Sequence, residues 1–285
     1  MKNYNYVIIR SQFGHEIMAI NFANALGFKV VIIPNKETAE EYYAEASKIY
    51  ANMKFFSNDL LIVPFEQRAT YEKEAWDIIA GLKAGKLDDE LWLTFAASTL
   101  QPHTFPVDLP VYKELKDKNN VLVVPQKLLS DNECGVTASQ QSLNPSVFNF
   151  LKGSEYNLVL GQHFHKVNDL ETVKKLAEEF SMYVPGMTEN EEVFGIRGVK
   201  HEMYWDMYRQ LNKVVGIAGT HTWYMLAMFP STPHIILYNR DGVEHWGKIA
   251  EAYQRLGYPV YAIGFDDTTD KVLLSKKIQS IFEQL

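Results

Sequence analysis

The segment Gly216-Ile-Ala-Gly-Thr-His-Thr222 places small and hydroxyl residues where an apolar run gives way to a helical pattern. A helix amino end presents main-chain N–H groups and the positive end of its dipole, so such a turn suits an anion, a diphosphate in particular. Gly219 allows close backbone approach, while Thr220 and Thr222 add hydroxyls to the amides of a helix starting near His221. Read more plainly, Thr220 is an N-cap and Gly219 a turn residue, and the residues alone leave both readings open. A second cluster, Arg10-Ser-Gln-Phe-Gly-His15, puts Ser11, Gln12 and Gly14 in a turn and His15 at the head of a helix. The dipole there disfavours imidazolium, so His15 is expected to be neutral near pH 7 and able to accept a proton; the alternative is a histidine tucked into the first turn. Gln162, Lys166 and Arg240 also follow apolar runs. Lys166 and Arg240 can neutralise a phosphate or stand solvated.

Other chemistries lack their residues. No Gly-x-Gly-x-x-Gly, P-loop, Gly-x-Ser-x-Gly or His-Glu-x-x-His motif occurs. His163 and His165 share a face if 162–166 is extended, but no carboxylate or cysteine stands nearby at ligand spacing, so neither a metal nor another cofactor is expected. The single cysteine, Cys134, precludes an internal disulfide. No apolar run approaches the roughly 18–20 residues of a membrane span, and Arg10 interrupts the N-terminal apolar run after four residues, unlike a signal peptide. A cytoplasmic protein without stable membrane insertion is expected. Its net charge of −7 argues against a broad nucleic-acid surface, though an acidic average can conceal a basic groove.

Positioning these residues requires strands that end at each cluster. Short β-branched runs alternate with amphipathic stretches throughout, the pattern of βα units around a mostly parallel sheet. Strands are predicted at 6–10, 29–33, 60–63, 121–125, 157–160, 182–184, 192–196, 214–218, 234–238 and 258–263. Helices are predicted at 15–26, 36–53, 170–180 with Asp169 as cap, 200–212, 221–229, 243–256 and 268–284. The stretch 70–97 reads as mostly helical with a break at Gly81 and Gly85, and 130–144 as a loop lining a cleft or leading to a linker. At 285 residues and 47% apolar composition, the chain divides into two α/β halves, 1–150 and 151–285.

The two clusters together resemble the heptosyltransferase-like glycosyltransferases of the GT-B fold. That family opens with a strand ending in Arg or Lys, a Ser-containing turn, a Gly and a catalytic Asp; Val7 to His15 is similar, with His15 in the place of the Asp. Its second half carries a strand, Asp-Thr-Gly-x-x-His, a small-residue helix, Pro and another strand. Val214 to Pro230 followed by Pro233 to Tyr238 is similar, with Ala218, Gly219 and Thr220 replacing Asp-Thr-Gly. The resemblance implies two Rossmann-like domains with mostly parallel sheets facing a central cleft. The half 1–150 would take the acceptor through Ser11, Gln12 and Gly14 with His15 as base. The half 151–285 would bind a UDP- or other NDP-sugar through Gln162, Lys166, Gly219, Thr220, His221, Thr222 and Arg240. Transfer to an acceptor hydroxyl would be inverting and metal-independent. By the family's habit the acceptor would be a glycan; separately, the Asn, Lys, Tyr and Phe usage suits a phage enzyme acting in the host cytoplasm, whose acceptor would be a hydroxylated base in DNA. A nucleotide-sugar epimerase and a non-catalytic sugar- or nucleotide-binding protein are the other readings.

Overall fold

The computed structural model describes residues 6–10, 22, 25–27, 29–33, 60–62, 69–70, 75–77, 87–98, 111–124, 145–161, 170–185, 205–240, 245–266 and 268–285. Four short strands form one parallel sheet: β1 (Tyr6–Arg10), β2 (Lys29–Ile33), β3 (Leu60–Ile62) and β4 (Ala75–Asp77), in the order β3-β2-β1-β4. Ile8 of β1 lies opposite Val31 on one side and Asp77 on the other. β4 corrects the helical reading of 70–97. Three residues are too few to show alternation, and the surrounding Glu, Lys and Ala favour helix, so only pairing with β1 reveals the strand. The helical part of that stretch is α1 (Asp89–Ser98), capped by Asp88, whose Oδ1 accepts the Leu91 N–H at 2.8 Å.

The second sheet has five strands, β5 (Asn120–Val124), β6 (Asn157–Leu160), β7 (Leu211–Ile217), β8 (His234–Asn239) and β9 (Val260–Phe265), all parallel, in the order β6-β5-β7-β8-β9. The predicted strand at 182–184 is a single bridge from Tyr183 to Val159, with Tyr183 N–H donating to Leu158 O and Leu160 N–H to Tyr183 O, both at 2.8 Å. Counting that bridge, the sheet positions read 3-2-1-4-5-6 in chain order, the Rossmann-like arrangement. The run at 121–125, read with the first half of the chain, therefore lies near the middle of the second sheet. Val121 to Val124, Val159, Val215 and Leu237 are all buried, as strands covered on both faces should be.

The helices are α2 (Leu170–Phe180), α3 (Trp205–Arg209), α4 (Thr220–Met228), α5 (His245–Arg255) and α6 (Lys271–Gln284). The predicted helix 200–212 is shorter at its end: helix stops at Arg209 and strand begins at Leu211. Leu211 and Asn212, the end of the predicted helix, instead open β7, where Asn212 sits in a bulge and its Oδ1 accepts the Asn120 N–H at 2.8 Å. A 3-10 segment at Pro145–Leu151, unforeseen in the sequence, sends Val147, Phe148 and Leu151 into the core beneath α6, where Ser275 Oγ donates to Val147 O at 2.8 Å. α1 packs on α5, and Phe95 meets Phe22 edge to face at 5.4 Å. The predicted elements at 36–53 and 192–196, the Asp169 cap and the 130–144 loop lie outside the described residues.

The amino end of this sheet is bolted by buried polar groups. Asp206 accepts hydrogen bonds from Tyr112 N (2.7 Å), Gln210 Nε2 (2.7 Å) and Arg209 Nε (2.6 Å). Burial, with Tyr183 and Asp206 nearby, drives the Tyr112 phenol well above its ordinary pKa. Asn120 donates through Nδ2 to Leu115 O at 2.8 Å and Gln210 O at 2.9 Å, and accepts from Asn157 Nδ2 at 2.6 Å. Asp206 and the Asn120 side chain are thus spent on structure.

Candidate functional site

In an open parallel sheet the ligand crevice forms outside the carboxyl ends of the strands, where successive connections leave in opposite directions. From β5 the chain goes to β6 on one side and then returns to β7 on the other, so that point lies between the ends of β5 and β7. Gly216 brings the backbones of β5 and β7 together there, while Gly161, at the end of β6, packs against β5 side chains from the other side. A Cβ on Gly216 would stand 2.5 Å from both the carbonyl oxygen and Cβ of Val124, and one on Gly161 would stand 2.5 Å from Val124 Cγ2. Neither packing role shows in the apolar pattern, although a glycine inside or ending a strand pattern is itself a signal of close approach.

Directly after β7, Ala218 N–H donates to Leu237 O at 2.8 Å and Gly219 caps α4 in an extended conformation. Glycine offers no side-chain acceptor, so the cap runs in reverse: Thr222 Oγ1 accepts the Gly219 N–H at 3.0 Å, and Gly219 O accepts the Thr222 N–H at 3.0 Å. Thr220 is thus the first helical residue rather than the cap. Thr222, whose hydroxyl is expected at an anion, is only 2% exposed, and that hydroxyl also shares a hydrogen bond with His221 Nε2 at 3.2 Å. What the turn can offer a ligand is main chain: Thr220 and His221 stand in the first turn of the helix, whose N–H groups have no intrahelical acceptor.

The His221 side chain is 4% exposed, and burial together with the charge of His234 lowers its pKa to about 3. His234, at the amino end of β8, is held down at about 4 by burial despite the hydrogen bond between its Nδ1 and Thr232 O; its Nε2 has no hydrogen-bond partner among the described residues. Both imidazoles are therefore neutral at pH 7, and His221 gives the turn shape but no charge. Thr222→Val keeps the volume and removes the hydroxyl that serves Gly219 and His221. It is expected to cost about 1–2 kcal/mol in urea unfolding, with Thr222→Ser recovering most of the loss.

Charge on this edge comes from the next strands. Arg240 follows β8, its N–H donates to Phe265 O at 2.8 Å, and its guanidinium reaches Asp266 Oδ2 at 3.4 Å. Gly219, Thr220, His221, Thr222 and Arg240 thus share one edge of one sheet. His15, Ser11, Gln12, Gly14, Gln162 and Lys166 lie outside the described residues, as do His163 and His165.

Fold and edge define a Rossmann-like α/β protein whose five-stranded, all-parallel sheet carries a glycine-lined turn and an arginine at its carboxyl ends. No protein-family model matches the chain, and no curated protein matches it. Among the described residues no helix is long and apolar enough to cross a membrane, and no group of three or more His, Cys, Asp or Glu is placed to hold a metal ion.

Proposed function

We propose that this protein is a glycosyltransferase of the GT-B type, with its second α/β half holding a nucleotide-sugar donor and its first half holding the acceptor across a cleft. One observation carries the reading: the turn from Gly219 to Thr222 opens α4 at the switch point between β5 and β7, where a Rossmann-like sheet receives phosphate groups. Its extension to sugar transfer rests on the resemblance of the two clusters to the heptosyltransferase-like family. In this mechanism the acceptor hydroxyl oxygen attacks the anomeric carbon from the face opposite the diphosphate. The new C–O bond forms as the bond to the diphosphate oxygen breaks, and the nucleoside diphosphate leaves with that electron pair. His15 takes the hydroxyl proton. The amides of Thr220 and His221, with Arg240 and Lys166, meet the charge developing on the leaving group. Helix dipole and basic side chains then stand where other transferases use a cation, and one displacement inverts the anomeric centre.

The test is calorimetric titration with UDP, ADP, GDP and CDP, followed by a panel of nucleotide sugars assayed for released nucleoside diphosphate with glycan and hydroxymethylated DNA acceptors. Binding of one diphosphate and acceptor-dependent release are expected. Mass spectrometry of a donor-only incubation separates transfer from epimerisation, and binding without any product marks a non-catalytic binder. Turnover unchanged in His15→Ala would remove that imidazole from the mechanism. Failure to bind any nucleoside diphosphate would overturn the reading.

A further inference from the structure

We propose that Asp266 gates the phosphate-binding edge: it holds the Arg240 guanidinium between the ends of β8 and β9 and yields it to a ligand phosphate. This deepens the donor-site reading above and rests on it. Arg240 is fixed at its base, where its N–H donates to Phe265 O at 2.8 Å. Its stem occupies room left by Gly264, on which a Cβ would stand 2.9 Å from Arg240 Cγ, 3.0 Å from Nε and 3.1 Å from Tyr238 Cζ. Backbone and stem are thus placed without help from the carboxylate.

Asp266 is anchored just as independently. Its Oδ1 accepts from Thr268 Oγ1 at 2.6 Å, Thr268 N at 3.0 Å and Thr269 Oγ1 at 3.0 Å, while its own N–H donates to Thr269 Oγ1 at 2.9 Å. The two threonines lower the carboxyl pKa and keep Asp266 charged. Only Oδ2 faces Arg240, and the 3.4 Å contact is well outside the roughly 2.7–2.9 Å of a strong charge-assisted pair. Two separately anchored groups therefore meet through one loose contact, with the Arg240 side chain more than half exposed. A phosphate brings more charge and a bidentate geometry matched to the guanidinium fork, so it displaces the carboxylate, whereas a neutral sugar hydroxyl does not. The pair thereby favours ligands with a phosphate at this edge over uncharged ones.

The experiment is a double-mutant cycle read by calorimetric titration of inorganic pyrophosphate at physiological salt, on wild type, Arg240→Ala, Asp266→Asn and the double variant. Urea midpoints confirm that each is folded. Arg240→Ala is expected to weaken binding about tenfold, the loss of a charge-assisted contact. Asp266→Asn is expected to tighten it about two- to fivefold, the range set by an exposed ion pair, and to have no effect once Arg240 is alanine. A purely structural Asp266 would weaken binding whether or not Arg240 is present. If wild type binds but Asp266→Asn does not tighten binding, or its gain persists without Arg240, the gate is overturned and the phosphate site stands. If wild type binds neither pyrophosphate nor any nucleoside diphosphate, the donor-site reading falls and the gate with it.

Discussion

Lowering the pH from 7.5 to 5 is expected to remove about 4 kcal/mol from the folding free energy, most of it below pH 6.5. The cause is two of the buried histidines. His221 and His234 are held neutral in the fold at about 3 and about 4, against 6.5 when exposed. A group whose folded value is depressed in this way favours the native state fully above 6.5. It withdraws that support as the unfolded chain takes up protons that the folded chain refuses. Between pH 7.5 and 5 each histidine contributes about 2 kcal/mol, roughly four-fifths of it below pH 6.5. Against a typical stability of about 5–15 kcal/mol this is a large share. Urea midpoints at pH 7.5, 6.5 and 5 measure it, and His234→Gln should remove about half of the slope. A midpoint indifferent to pH would show that neither imidazole is buried uncharged. The depressed Asp266 carboxyl acts in a separate window: its support is present above 3.8 and is lost as pH falls through its lower folded value.

Gly216→Ala is expected to cost about 3 kcal/mol, the upper end of what overpacking ordinarily does. The added methyl would meet Val124 O and Cβ at 2.5 Å and its Cα at 2.7 Å. Those are atoms of an interior strand held between β6 and β7, so they cannot swing aside as the tip of a side chain can. Gly161→Ala makes a useful contrast, because its nearest obstacle is the Val124 Cγ2 methyl, and about 1 kcal/mol is expected there. Equal effects of the two substitutions, or a wild-type midpoint in Gly216→Ala, would show that β5 and β7 do not approach so closely.

The strands most legible in the sequence were those buried on both faces. Val121 to Val124 and Ile235 to Leu237 are continuous apolar runs because helices or neighbouring layers cover them. Ala75–Asp77 was hidden because so short a strand owes its existence to the edge of β1, a partner remote in sequence. Leu211 and Asn212 read as helix for a related reason: the bulge at Asn212 interrupts the alternation that marks a strand. At the site, the turn after β7 was visible as a cluster of glycine and hydroxyl residues, but the burial of Thr222 was not. Its hydroxyl is taken up by a cap built around a glycine with no side chain to offer. The anchoring of Asp266 by Thr268 and Thr269 follows the familiar chemistry of an Asx turn. Its contact with Arg240 depended on two strand ends being neighbours, which only the sheet order reveals.

The placement of β5 also bears on how the chain is made. β5 is the earliest strand of its sheet to leave the ribosome, yet one of its two partners is β7, with Asn120 bonded to Asn212 across 92 positions. At roughly 5–20 residues per second, synthesis of that interval takes about 5–18 s. During that time the apolar segment Val121 to Val124 has only β6 to pair with, and its other edge stays open. The nascent protein therefore passes through a stage at which its future centre is an unprotected sheet edge, the kind of surface chaperones bind and neighbouring chains recruit. Production at low temperature or with holdase chaperones should raise the soluble yield more than stabilising the finished fold does.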